Sequence, residues 1–256
     1  MVFPLKHSII YGPVNSRRLG RSLGINLSPV RHKLCSFNCV YCHYGWTERV
    51  VRNVDRYADE FPKKQDVFTS LRQVLENGIK PDYITFSGNG EPTLHPDFQE
   101  IVEGIARIRD ELTPDVPLAL LSNSSALSNQ SVRSAISLIN TRILKLDAGT
   151  EEVFQKINKP AQGILLKNIV DSFKGIGNFI IQTIFINGNV SNTKEENISR
   201  WIEIIKELSP ISVQVYSTDR PVPQKDIEKV EVMELRAIAS RTEQLTSIPV
   251  KVFSLS

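Results

Sequence analysis

Short runs rich in Ile, Leu and Val recur at residues 23–27, 83–87, 118–122, 143–147, 179–185 and 212–216. They mostly lack polar alternation, which is the mark of strands covered on both faces. Between them lie stretches at 66–76, 98–112, 132–138, 164–173 and 194–208, whose apolar residues stand three and four positions apart. In the second stretch Phe98, Ile101, Val102, Ile105 and Ile108 fall on one helical face. Pro81, Pro117, Pro210 and Gly177 stand just before strands, where helices must stop. A last helix over 231–245 and an apolar run over 250–253 complete the pattern.

Strands that alternate with helical crossovers predict a parallel sheet with right-handed connections, an α/β fold. An open doubly wound sheet and a curled partial barrel both fit, and in either one ligands bind at the carboxyl ends of the strands. No linker, repeat or low-complexity stretch interrupts the pattern. The expectation is one domain over 1–256, with an N-terminal extension at 1–22 and a C-terminal helix and short strand within 226–256.

The chain has 256 residues, 41% hydrophobic and 23% charged, an ordinary globular composition that excludes disordered, collagenous and disulfide-dense classes. No apolar run approaches the roughly 20 residues of a membrane helix. The first residues show no secretory signal, so the expected location is cytoplasmic and away from membranes. The net charge of +3 is unevenly spread. Residues 1–56 carry nine Lys and Arg against two acids, leaving 22 basic against 26 acidic residues for the remainder. A basic N-terminal fifth suits an anionic partner, RNA or an anionic small molecule; a solvated face paired with acids elsewhere is the alternative.

All three cysteines lie within eight residues, Cys35-Ser-Phe-Asn-Cys39-Val-Tyr-Cys42. No distant cysteine exists for any of them to bridge. Four chemistries suit such a loop: a zinc site completed by His32 or His43, a dithiol pair of Cys39 and Cys42, a haem attachment through Cys39-Val-Tyr-Cys42-His43, and an iron–sulfur cluster with one iron left open.

The pattern Cys-x-x-x-Cys-x-aromatic-Cys, with Tyr41 as the aromatic, resembles the signature of the radical S-adenosylmethionine (SAM) superfamily. Ser87-Gly88-Asn89-Gly90-Glu91-Pro92 is similar to that family's glycine-glutamate-proline segment. Ser122-Asn123, Lys145-Leu146-Asp147-Ala148, Gln182-Thr183 and Gln214-Val215-Tyr216 fall at or near the ends of the expected strands. The stretch from Tyr11 to Gly24, together with Lys156-Ile157-Asn158-Lys159-Pro160 and Asp219-Arg220-Pro221, resembles small iron–sulfur oxidoreductases similar to wyosine (tRNA) synthases. Those synthases carry a second cluster on further cysteines, which this chain lacks.

The resemblance implies a partial (β/α)6 TIM-like barrel with a cluster-binding loop at 31–46. Cys35, Cys39 and Cys42 would hold one [4Fe–4S] cluster. SAM bound to the fourth iron would be cleaved reductively to a 5′-deoxyadenosyl radical that abstracts hydrogen from the substrate. Tyr41, Gly88, Asn89, Gly90, Glu91, Ser122, Asn123, Asp147, Thr183 and Tyr216 would contact SAM. For each there is a plainer role: a tight turn at Gly88–Pro92, a side chain bonded to its own backbone at Asn123, a cap at Asp147, strand packing at Thr183 and Tyr216, and loop packing at Tyr41. No motif marks residues that handle the substrate. The implied partners are an electron donor such as flavodoxin or ferredoxin, and RNA or an anionic small molecule. A glycyl-radical-type activase acting on a partner protein, and a non-catalytic zinc-binding module, are the competing functions.

Overall fold

The apolar runs form strands and the amphipathic stretches form helices in the computed structural model, which describes residues 2–254. The outermost residues of the expected 1–256 domain, at 1, 255 and 256, lie outside the described residues. The first elements are β1 (Ile10–Ser16), β2 (Gly20–Ile25), β3 (Leu34–Cys35), β4 (Arg49–Val50) and α1 (Lys64–Glu76). Next come β5 (Tyr83–Phe86), α2 (Phe98–Leu112), β6 (Leu118–Ser122), α3 (Gln130–Ser137) and β7 (Thr141–Lys145). Then follow α4 (Glu151–Asn158), α5 (Leu166–Ser172), β8 (Phe179–Ile184), β9 (Ile186–Gly188) and α6 (Glu195–Leu208). The chain finishes with β10 (Ser212–Tyr216), β11 (Ile227–Lys229), α7 (Val232–Thr246) and β12 (Val250–Phe253).

Two compact units divide the chain. The first comprises Leu5–Ser36 and Val51–Ile143. Its strands run in the order β1-β2-β5-β6, with β1 antiparallel to β2 and the other neighbours parallel. Helix α2 buries the face read from the sequence, Phe98, Ile101, Val102, Ile105 and Ile108. Helix α1 buries Val67, Leu71 and Leu75. The two helices approach closely because Gly104 leaves room for the Phe68 ring, which lies 2.3 Å from where a Cβ on Gly104 would sit.

The second unit takes in the chain up to Pro4, Phe37–Val50 and everything from Leu144 onward. Its strands β8, β10 and β12 are parallel, with Gln182 level with Gln214 and their side-chain amides bonded at 3.2 Å. Strands β9 and β11 make a separate antiparallel ribbon. Trp201 on α6 is fully buried, stacks edge-on against Phe185 and donates its indole N–H to the Leu146 carbonyl at 3.1 Å. Burying a Trp with its N–H satisfied secures both the apolar area and the hydrogen bond.

The fold is α/β with a mostly parallel sheet, consistent with a partial TIM-like barrel. Three features differ from the sequence reading. Residues 10–16, placed in an extension, form the antiparallel strand β1. Helix α4 was not anticipated, because its eight residues bury only Phe154, Ile157 and Asn158, too few repeats to declare a period. The short β9 and β11 ribbon was likewise unread. No helix among the described residues is long and apolar enough to cross a membrane.

Candidate functional site

The cysteine loop is held by backbone bonds before any side chain is considered. An α-helix leaves its last carbonyls without intrahelical partners. At the end of α4 these carbonyls take donors from the loop: Val40 N–H bonds Ile157 O at 3.0 Å, and Asn38 N–H reaches Asn158 O and Lys159 O at 3.0 and 3.1 Å. Lys159 has φ +41°, a left-handed conformation that turns its carbonyl toward the loop, and Pro160 then prevents the helix from continuing. Fully buried Val40 anchors the loop among Ile157, Ile184 and Ile186. Lys156–Pro160, singled out in the sequence without a structural reason, is therefore the shelf on which the loop rests. None of the three cysteines is in a disulfide; Cys35 is buried, Cys39 and Cys42 half-buried.

Cys35 belongs to the first unit, where Glu91 organises its neighbours. The Glu91 carboxylate is buried and accepts four bonds. Three reach Oε1, from Ser122 Oγ at 2.8 Å, Thr93 Oγ1 at 2.6 Å and Thr93 N at 3.1 Å; Asn123 N donates to Oε2 at 2.6 Å. Burial pushes its pKa up, and these bonds only partly oppose the rise. Asn123 is in turn fixed at every polar atom. Its Oδ1 accepts from Ser125 N at 3.0 Å, and its Nδ2 donates to Ser36 Oγ at 2.8 Å and lies 3.6 Å from Cys35 Sγ.

The glycines of this unit are required by the chain itself. Gly88 has φ +153°, and a Cβ there would meet Asn26 Oδ1 at 2.3 Å. A Cβ on Gly90 would sit 2.0 Å from the carbonyl oxygen of Leu34, beside Cys35. At both positions the backbone lies against protein atoms. Gly90→Ala is expected to destabilise by at least about 1–3 kcal/mol, since a backbone atom must yield. A urea melt of the variant checks this. Asn89, expected to face SAM, instead ties down the N-terminal segment. Its Oδ1 accepts from Lys6 N at 2.6 Å, and its Nδ2 donates to Lys6 O at 2.9 Å and Pro29 O at 3.2 Å.

Cys39 and Cys42 belong to the second unit, which has its own buried polar network. Asp147, just past β7, uses both carboxylate oxygens within the protein. Oδ1 accepts from Ile184 N at 3.0 Å and pairs with Lys145 Nζ at 3.0 Å; Oδ2 accepts from the Tyr41 hydroxyl and from Asn158 Nδ2 at 2.9 Å. That fills its four lone-pair directions within the protein. Lys145 also bonds Tyr216 Oη at 3.1 Å and lies 5.1 Å from the ring centroids of both Tyr41 and Tyr216. Burial disfavours its charge, but Asp147 and Tyr216 outweigh this and raise its pKa. Burial, followed by the Asp147 charge, pushes the Tyr41 hydroxyl well up, so it stays protonated and donates. Thr183 is fully buried and donates its hydroxyl to Leu146 O at 2.7 Å.

Asn158 was unread as a functional residue. Its Nδ2 reaches Asp147 Oδ2, Tyr41 Oη at 3.1 Å and Cys39 Sγ at 3.6 Å. Only its place in the Lys-Ile-Asn-Lys-Pro run pointed to it. Of the histidines offered for zinc, His43 keeps a buried Nε2 with no hydrogen-bond partner among the described residues. His32 pairs with Glu60 at 3.3 Å. His43 packs edge-on against Phe3, and burial, then the Arg220 and Lys145 charges, lower its pKa to about 4. Among the described residues no three His, Cys, Asp or Glu side chains gather to hold a single metal ion.

Arg17, Arg18 and Arg21 lie where β1 turns into β2. Arg21 N bonds Asp82 Oδ2 at 2.7 Å, just ahead of β5. This is the amino end of the parallel strands, opposite the end bearing Gly88–Glu91.

Residues 31–208 match the family model described as the radical SAM superfamily. A UPF0026 protein of Methanocaldococcus jannaschii is 35% identical over 237 residues, which cover 88% of this chain and 69% of that protein. A protein named GTPase Obg from Brachyspira hyodysenteriae is 31% identical over 257 residues. These cover 98% of this chain but only 36% of the relative, so the chain spans about a third of that length. A more distant relative, a probable GTP 3′,8-cyclase of Saccharolobus islandicus, is 23% identical over 232 residues, 90% of this chain and 68% of its own. Among solved structures, TYW1 with a lysine-pyruvate adduct bound superposes with a TM-score of 0.62 at 14% identity, over 88% of this chain and 73% of that one.

Proposed function

The chain belongs to the radical SAM superfamily, and from that premise we propose that Cys35, Cys39 and Cys42 hold one [4Fe–4S] cluster at which SAM is cleaved. What supports this is the donor set: three cysteines within eight residues and outside any disulfide, two of them facing a side-chain amide N–H, beside a loop pinned by α4. When bound, the cluster with SAM on its open iron supplies one electron to the sulfonium, releasing methionine and a 5′-deoxyadenosyl radical that takes a hydrogen atom from the substrate.

The protein's part is to hold and orient. Glu91 Oε2 takes a single protein donor, Asn123 N, and keeps an acceptor place for the ammonium group of SAM. Ser122, Thr93 and Asn123 fix that carboxylate, so it acts without reorganising. Tyr41 and Tyr216, whose ring centroids each lie 5.1 Å from Lys145 Nζ, are candidates for contact with the adenosine portion. The location is cytoplasmic and the electron donor a flavodoxin or ferredoxin. The substrate is RNA or nucleotide-like; the basic first 56 residues and the relatives named as GTP 3′,8-cyclases support this reading.

Anaerobic reconstitution tests the chemistry: about four irons per chain, and release of 5′-deoxyadenosine from SAM with dithionite. Protein that binds iron but leaves SAM intact would sink the proposal. Arg17, Arg18 and Arg21 replaced together by Gln should leave SAM cleavage unchanged, because they stand at the far end of the strands. If RNA is the substrate, the same variant flattens the salt dependence of RNA binding by up to about three phosphate contacts. A parent protein that binds no RNA assigns a small anionic substrate.

A further inference from the structure

Resting on the cluster assignment above, we propose that Asn123 and Asn158 are positioning residues that set the reduction potential of the cluster, each by aiming a side-chain N–H at a different ligating sulfur. Asn123 Nδ2 lies 3.6 Å from Cys35 Sγ, and Asn158 Nδ2 lies 3.6 Å from Cys39 Sγ. Sulfur is larger than oxygen, so this separation suits an N–H···S bond. The two pairs come from different parts of the sequence, one following β6 and one ending α4.

Neither amide is free to turn round. In Asn123 the carbonyl end receives Ser125 N, which leaves the NH2 end for Ser36 and Cys35. In Asn158 the NH2 end faces the Asp147 carboxylate; the flipped amide would set oxygen against oxygen. The orientation is kept although Asn158 is buried and its Oδ1 has no hydrogen-bond partner. A side chain that leaves one buried acceptor unsatisfied is held by what its donors do. Asp147 takes one of the two hydrogens. The other lies between Tyr41 Oη and Cys39 Sγ, and a thiolate bound to iron is the more negative acceptor.

Hydrogen bonds to ligating sulfurs stabilise the reduced, more electron-rich state and so raise the potential. Asn123 and Asn158 thus make the electron easier to deliver from a donor of modest reducing power.

The test is the midpoint potential of the reconstituted cluster without SAM, followed by electron paramagnetic resonance, in the parent, Asn123→Ala, Asn158→Ala and the double variant. Asn158→Ser serves if Asn158→Ala does not fold. Each single variant should retain its iron and shift to a more negative potential, and the double variant should shift further. The sulfur K-edge pre-edge should gain intensity as the thiolates donate more strongly to iron. Unchanged potentials in both single variants overturn the inference. So does a folded variant that no longer takes up iron, because the amides would then assemble the cluster and not tune it. A parent protein that binds no cluster overturns the proposed function instead.

Discussion

Cys39→Ala is expected to lose SAM cleavage entirely while the protein stays folded. The three cysteines of the chain lie within eight residues, so no spare thiol can replace one that is removed. With two thiolates left, the cluster has too few protein ligands to persist, and iron content should fall well below the parent's roughly four. Folding should survive because the loop hangs from backbone bonds at Asn38 and Val40, and from the buried Val40 side chain, none of which is altered. Iron analysis and 5′-deoxyadenosine release, measured beside a thermal melt, separate the two effects. Full cleavage activity in Cys39→Ala would remove the cluster assignment.

Asp147→Ala should have the largest effect on stability. The substitution takes the carboxylate from Lys145, whose side chain is only 17% exposed, and from the Ile184 amide, the Tyr41 hydroxyl and Asn158. Removing one partner of a buried pair costs about 3–5 kcal/mol, because the remaining charge stays buried. In a chain of this size that corresponds to a fall in Tm on the order of 10 °C. Asp147→Asn keeps the shape and loses the charge, so it should fall between. The double variant Lys145→Met with Asp147→Leu should recover much of the loss, since it strands no charge. A melt of Asp147→Ala matching the parent would show that the network contributes nothing to folding.

Much of this was legible in the chain. The strand at 118–122 announces itself as a nearly unbroken apolar run because both its faces are covered, and α2 because five apolar residues keep a helical period over eleven positions. The cysteine spacing pointed to the loop, and the segments at the strand ends pointed to Glu91, Ser122, Asn123 and Asp147. Local pattern does not say which way such side chains face. Asp147 and Thr183 read as ligand contacts because they stand at or near strand ends; the protein groups they bond include the Ile184 amide and the Leu146 carbonyl, each 37 residues away and invisible to local pattern. At Gly88 and Gly90 the groups that a Cβ would meet, Asn26 and Leu34, lie more than fifty residues away in the chain. Asn158 escaped notice because the short helix that ends on it is itself not legible from the apolar pattern.

The seating of residues 38–40 on the carbonyls of α4 has a consequence for how the protein acquires its iron. Gathering thiols from a slack segment would charge the ordering entropy of several residues, roughly 1–2 kcal/mol each, against the affinity for the cluster. Here that ordering is completed when the polypeptide folds, and the carbonyls that accomplish it are ones every helix must satisfy somewhere. Iron uptake is thereby separated from folding, unlike in small zinc domains, where the two are a single event. A newly made chain can wait in a receptive form for its cluster, with the amides of Asn38 and Val40 already shielded from exchange with solvent.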